Sequence, residues 1–158
     1  MQFGEQLEAL LTTLQAEQQL LSRQQRRDVP LLLKIAPDLT PDEVASIAAT
    51  ARKVGIAGVI ATNTTLSREG VEADPQGSEA GGLSGAPLTV ASTKVLALLT
   101  QNLPRSMPVI GVGGIMQGDD ASAKISAGAS LVQLYSGFIY RGPELIGESV
   151  TAIAKRHG

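Results

Sequence analysis

Apolar residues along this chain alternate between two spacings, and the alternation itself predicts the architecture. From Phe3 to about Gln25, Leu7, Leu10, Leu11, Leu14 and Leu21 recur at helical spacing, with Glu, Gln and Arg on the other face. Asp28-Val29-Pro30 breaks that helix. Leu31 to Ala36 is then a short, almost unbroken apolar run, as expected of a parallel strand buried on both faces. Thr40, Pro41 and Glu43 form a capping-box start, Val44, Ile47, Ala48 and Ala51 give the next helix one apolar face, and Gly55 stops it.

The same two-part unit recurs. Gly58 to Thr62 reads as a strand, a polar loop runs from about Asn63 to Gly85, and Ala86 to about Leu103 reads as a helix with Leu88, Ala91, Val95 and Leu98 inward. Val109 to Val112 is a strand followed by a short helix from Gly118 to Ala127, which Gly128 ends. Leu131 to Tyr135 is a fourth strand, and Pro143 opens a last helix with Leu145, Ser149, Ala152 and Ile153 inward. A leading helix plus four strand-helix units predicts an α/β fold with parallel strands and helical crossovers. A closed (β/α)₈ barrel has eight such units in about 250 residues. The pattern is therefore that of half of a TIM barrel, residues 1–158 forming one domain, and the resemblance of its motifs to a known family implies that it is the second half, with the N-terminal half absent; an independent four-stranded open sheet is the other reading.

Composition narrows the function. The 158 residues are 43% hydrophobic and 18% charged, with a net charge of −2, as in a soluble globular domain. Without a basic stripe, nucleic acid is not an expected partner. Cysteine is absent, which excludes disulfides and thiolate chemistry, and the single histidine, His157, reads as a tail residue. No metal-ligand cluster, Ser-His-Asp set or paired carboxylate stands at a strand end, so a cofactor would have to carry any difficult chemistry. No apolar run reaches the roughly 18–20 residues of a membrane span, and the chain alone is expected to be soluble and cytoplasmic.

In a barrel of this kind the site lies at the C-terminal ends of the strands. Lys34 sits in the apolar first strand, where a buried ammonium needs an anionic partner; it is either a fixed charge facing an electron-rich ligand or a lysine reaching past the sheet edge. Asn63, between Thr62 and Thr64, offers a donor and an acceptor to a heterocycle edge, or closes an Asx turn. Asp38, beside Leu39 and Thr40, reads as a turn residue. The Gly81-Gly82-Leu83-Ser84-Gly85 cluster closes the long loop and brings backbone amides toward an anion, or is simply a turn. Gly111-Val112-Gly113-Gly114 and Tyr135-Ser136-Gly137 follow the last two strands, where phosphate commonly binds in such barrels.

Leu33 to Thr40 (LKIAPDLT), Gly58 to Thr65 (GVIATNTT), Gly81 to Gly85 (GGLSG), Gly111 to Ile115 (GVGGI) and Ala127 to Ile139 (AGASLVQLYSGFI) together resemble class 2 dihydroorotate dehydrogenases. Those enzymes are quinone-dependent and peripheral on the inner or cytoplasmic membrane. The resemblance implies oxidation of dihydroorotate to orotate with FMN in pyrimidine biosynthesis. It implies that Lys34 contacts the flavin ring, and that Thr62, Gly85, Gly114, Tyr135 and Ser136 contact FMN, the last three around the phosphate. Asn63 and Thr64 match residues that hold the pyrimidine and its carboxylate. The quinone partner, two flavin-binding asparagines and the serine base are expected from the missing N-terminal half, since Ser67 and Ser84 lie in motifs unlike that of the base. The chain alone is therefore expected to be inactive and to associate with itself or with that half. Two alternatives remain: another flavin- or phosphate-binding barrel enzyme, and a catalytically silent associating fragment.

Overall fold

The computed structural model describes residues 2–157. Helix α1 (Gln2–Gln25) leads into β1 (Leu32–Ile35), α2 (Pro41–Val54) and β2 (Gly58–Ala61). A 3₁₀ turn (Ala86–Leu88) precedes α3 (Thr89–Asn102), followed by β3 (Val109–Val112), α4 (Gly118–Ser126) and β4 (Leu131–Gln133). Two helices close the chain, α5 (Ser136–Arg141) and α6 (Glu144–His157). The four strands form one parallel sheet in sequential order, with Lys34 beside Ile60, Ile60 beside Ile110 and Ile110 beside Leu131. This is the predicted α/β architecture of consecutive right-sized βα units.

The helices cover only one face of the sheet. Ile35, Val59, Ala61 and Val109 point into a core with Val44, Ile47 and Ala51 of α2 and Val95, Leu96 and Leu99 of α3. The opposite face carries Lys34, Ile60, Ile110 and Leu131, and Leu131 is 60% exposed. The expectation that β1 is buried on both faces is thus corrected: side chains alternate across a strand, and no layer among the described residues covers the Lys34 face. β1 pairs only with β2 and β4 only with β3, so each outer strand leaves one edge unpaired.

Local chemistry explains most boundaries. Thr40 caps α2 reciprocally with Glu43, and Gly55 ends that helix in the left-handed conformation at φ +78°. Those backbone and side-chain hydrogen bonds from Thr40 hold the Glu43 carboxyl below its ordinary pKa. The apolar phase of α3 differs from expectation. Ala91 is exposed, and buried Ser92 lies on the inner face with Leu88, Val95, Leu96 and Leu99. A serine there is invisible to an apolar pattern; it is tolerated because its hydroxyl is bonded to the Leu88 and Gly113 carbonyls.

On α1, only Leu11 of the predicted face is fully buried, while Leu10, Leu14 and Leu21 stay exposed, because α1 packs on α2 along a narrower strip. The six-residue α5 is not evident from periodicity; its stop is the Gly142-Pro143 pair, Gly142 lying at φ +69°. His157 ends α6, and its side chain lies outside the described residues. Among the described residues no helix is long and apolar enough to cross a membrane.

Candidate active site

The strand ends converge on one cavity with about 290 Å³ of space. All eight residues singled out from the sequence line it: Lys34 from β1; Thr62, Asn63 and Thr64 after β2; Gly85 at the end of the long loop; Gly114 after β3; and Tyr135 and Ser136 after β4. Alternation along the strands places them there. Lys34, the residues at the end of β2 and β3, and Gln133 and Tyr135 all belong to the uncovered face or its upper rim. Gln133 was not anticipated, although it stands two residues before Tyr135 and so shares its face.

Lys34 is exposed rather than buried. It therefore does not require a protein anion, and neither ion pair formed among the described residues, Lys53–Glu8 or Arg141–Glu148, involves it. Its ammonium is a free cation on the cavity wall. Thr62 is buried, and its hydroxyl donates to the Asn63 carbonyl at 2.9 Å. The Asn63 side-chain oxygen accepts from the Thr64 amide at 2.9 Å, so the turn role is realised for that oxygen and the amide group is left for a ligand.

The two glycine loops do different work. A Cβ on Gly82 would stand 1.8 Å from the Thr64 hydroxyl, so that glycine makes room for Thr64 rather than presenting an amide. Gly114 combines φ +71° with a would-be Cβ 2.2 Å from the Thr89 Cα, so only glycine fits against α3. The Gly113 carbonyl accepts from Ser92 at 3.0 Å and the Gly114 carbonyl from Thr89 at 2.6 Å. In a planar trans peptide the next N–H points the opposite way, so the Gly114 and Ile115 amides face away from α3. The loop after β2 is held as well. Asp38, read from sequence as a turn residue, accepts from the Thr65 hydroxyl and, at 2.9 Å, from the Leu66 amide. Arg68 clasps the Glu79 and Gly81 carbonyls at 2.8 and 2.7 Å.

One feature behind the site escaped sequence reading. Lys124 on α4 is fully buried, and its ammonium donates to the Ser92 and Thr93 hydroxyls. Burial pushes its pKa down to about 8, against a smaller upward pull from Asp120. No carboxylate or histidine lines the cavity, and no group of three or more acidic, histidine or cysteine ligands forms a metal site among the described residues.

The model of the dihydroorotate dehydrogenase family matches residues 2–156. Two curated relatives named dihydroorotate dehydrogenase (quinone), from Thiobacillus denitrificans and Akkermansia muciniphila, are each 54% identical over 155 and 153 residues. The matches cover 98% and 97% of this chain but 46% and 44% of those relatives, so the chain spans just under half their length. The crystal structure of an Eimeria tenella DHODH in complex with ferulenol superimposes with a TM-score of 0.89 at 33% identity, covering 97% of this chain and 44% of that one.

Proposed function

Because this chain belongs to the dihydroorotate dehydrogenase family, we propose that it forms the C-terminal wall of an FMN-dependent site that oxidises dihydroorotate to orotate, with a quinone as final acceptor. The observation that carries this reading is the convergence of the eight named residues on one cavity at the strand ends. The fit can be judged from the protein itself. A free ammonium (Lys34), an unengaged side-chain amide (Asn63) and two outward amides (Gly114 and Ile115) line one space. An electron-rich ring, a polar heterocycle and a phosphate need that donor set.

When bound, the flavin supplies the hydride acceptor, chemistry that no side chain here provides. The residues of this chain bind and orient. Lys34 places positive charge beside the ring, where it favours added electron density. Asn63 and Thr64 fix the pyrimidine and its carboxylate, which sets the orientation of the reacting carbon. Thr62 and Gly85 would hold the ring, and Gly114, Tyr135 and Ser136 would hold the phosphate. The Ser84 and Ser136 hydroxyls, 2.6 Å apart, tie the long loop to the turn after β4 and close that side of the cavity.

A second reading, of a chain that associates but does not turn over alone, is favoured by the sheet face that no layer among the described residues covers. The visible absorption spectrum of the purified chain with and without FMN tests the first reading. Bound flavin whose spectrum responds to orotate, and not to unrelated heterocycles, supports it; a chain that leaves FMN free in solution refutes it.

A further inference from the structure

We propose that Lys124 is a positioning residue for the cofactor's phosphate: its buried ammonium holds the Gly113–Gly114 loop through Ser92, and phosphate binding at that loop is coupled to its proton. This rests on the flavin reading above and adds a residue that lines no part of the cavity.

The geometry is a relay. The ammonium can only donate, and it donates to the Ser92 and Thr93 hydroxyls at 2.5 and 2.8 Å. Occupying the Ser92 oxygen in this way leaves its single hydrogen for carbonyls, and the Leu88 carbonyl of its own helix, at 2.8 Å, and the Gly113 carbonyl, at 3.0 Å, share it. Thr89 holds the Gly114 carbonyl in parallel at 2.6 Å. With both carbonyls anchored on α3, the Gly114 and Ile115 amides stay turned outward, as a bound oxyanion requires. Among the described residues no protein acceptor takes either amide.

The charge is also unbalanced. A fully buried ammonium is costly unless an anion compensates it, and Lys124 takes part in neither ion pair of the described residues. The groups around it are few. Asp120, one turn earlier on α4, acts on it electrostatically but is itself engaged by the Met116 and Gln117 amides. α3 offers only the two hydroxyls, and β3 presents Gly111 and no titratable side chain. On α6, Glu148 is bound to Arg141 and the Gly118 amide. A phosphate on the far side of the Gly113–Gly114 loop is the anion that the arrangement lacks. Such an anion favours the protonated lysine, and by linkage the protonated lysine favours the anion. The phosphate's own second ionisation lies near pH 6, so it stays dianionic while Lys124 titrates.

The test is FMN and riboflavin affinity of the full chain, by flavin fluorescence, from pH 7 to 9.5. FMN affinity is expected to fall about tenfold across this range, while riboflavin, which lacks the phosphate, shows no such fall. In Lys124→Met, FMN affinity at pH 7 is expected to be about tenfold weaker and flat with pH, with riboflavin affinity retained. A slope that persists in Lys124→Met, or that riboflavin shares, overturns the proposal. Should that variant fail to fold, NMR titration of the Lys124 ammonium in the unmodified chain decides: FMN raises its pKa if the proposal holds, and leaves it unchanged if not. Wild-type protein that binds riboflavin and FMN equally sinks this proposal alone, whereas binding of neither sinks the flavin reading with it.

Discussion

Ser84 and Ser136 lie 52 positions apart in sequence, yet their hydroxyl oxygens meet at 2.6 Å across the mouth of the cavity. One belongs to the loop after β2 and the other to the first residue of α5, so a single hydrogen bond couples two strand ends. Replacing either by alanine is expected to cost about 1 kcal/mol, and a double-mutant cycle to give a coupling of about 0.5–1.5 kcal/mol. Denaturant melts of the two single variants and the double variant check this; strict additivity would show the contact to be energetically idle.

Gly114→Ala is expected to destabilise the chain by about 2 kcal/mol or more and to abolish flavin retention. Its φ of +71° disfavours a side chain, and the new Cβ would collide with the Thr89 backbone. Thermal melting together with flavin content measures both effects. Gly70→Ala, also at positive φ but with nothing within 4 Å, should show a smaller stability loss and keep the flavin.

Stability should depend on alkaline pH through Lys124. Its folded-state pKa is depressed to about 8 from 10.5, so between those values the unfolded chain holds more protons than the folded one. Stability therefore rises as pH increases from about 8 toward 10.5, and the charged lysine is a burden below that window. Urea midpoints at pH 7.5, 9 and 10 should climb, after correction for other groups by comparison with Lys124→Met, which should lack this component. Identical profiles for the two proteins would contradict the assignment.

Much of the fold follows from spacing alone, because parallel strands buried against helices are written as short apolar runs separated by capped amphipathic segments. The capping box at Thr40–Glu43 and the left-handed Gly55 are legible in the same way. What failed were features set by tertiary partners. Lys34 lies in an apolar run, but it is exposed because no layer among the described residues covers its face. Ser92 and Lys124 are polar residues on buried faces, made tolerable by each other and by the Gly113 carbonyl, a pairing that spans 32 positions and leaves no local trace. The cavity residues were found because strand ends are their expected place and motifs cluster there; Gln133 was overlooked because a lone glutamine in a strand carries no motif.

The chain alone should self-associate. Val132, Leu134, Phe138, Ile146, Val150 and Ile153 border an apolar hollow beside the unpaired edge of β4, and the buried Ser149 hydroxyl there has no partner. Exposed apolar surface next to a free strand edge favours pairing. Sedimentation velocity over a concentration series should show species heavier than the 16.4 kDa monomer; a well-folded monomer at the highest concentration would contradict this. Turnover of dihydroorotate by the same sample, supplied with FMN and quinone, should be negligible, since the serine base that the family resemblance implies has no counterpart among the motifs of this chain.

The decisive measurement is a visible absorption titration of the chain with FMN, followed by orotate, run in parallel on Lys34→Gln. FMN should bind the unmodified chain with a shifted flavin spectrum that orotate perturbs further, and Lys34→Gln should weaken the binding and diminish the shift. A flavin spectrum identical to that of free FMN at every protein concentration, with no response to orotate, would contradict the account.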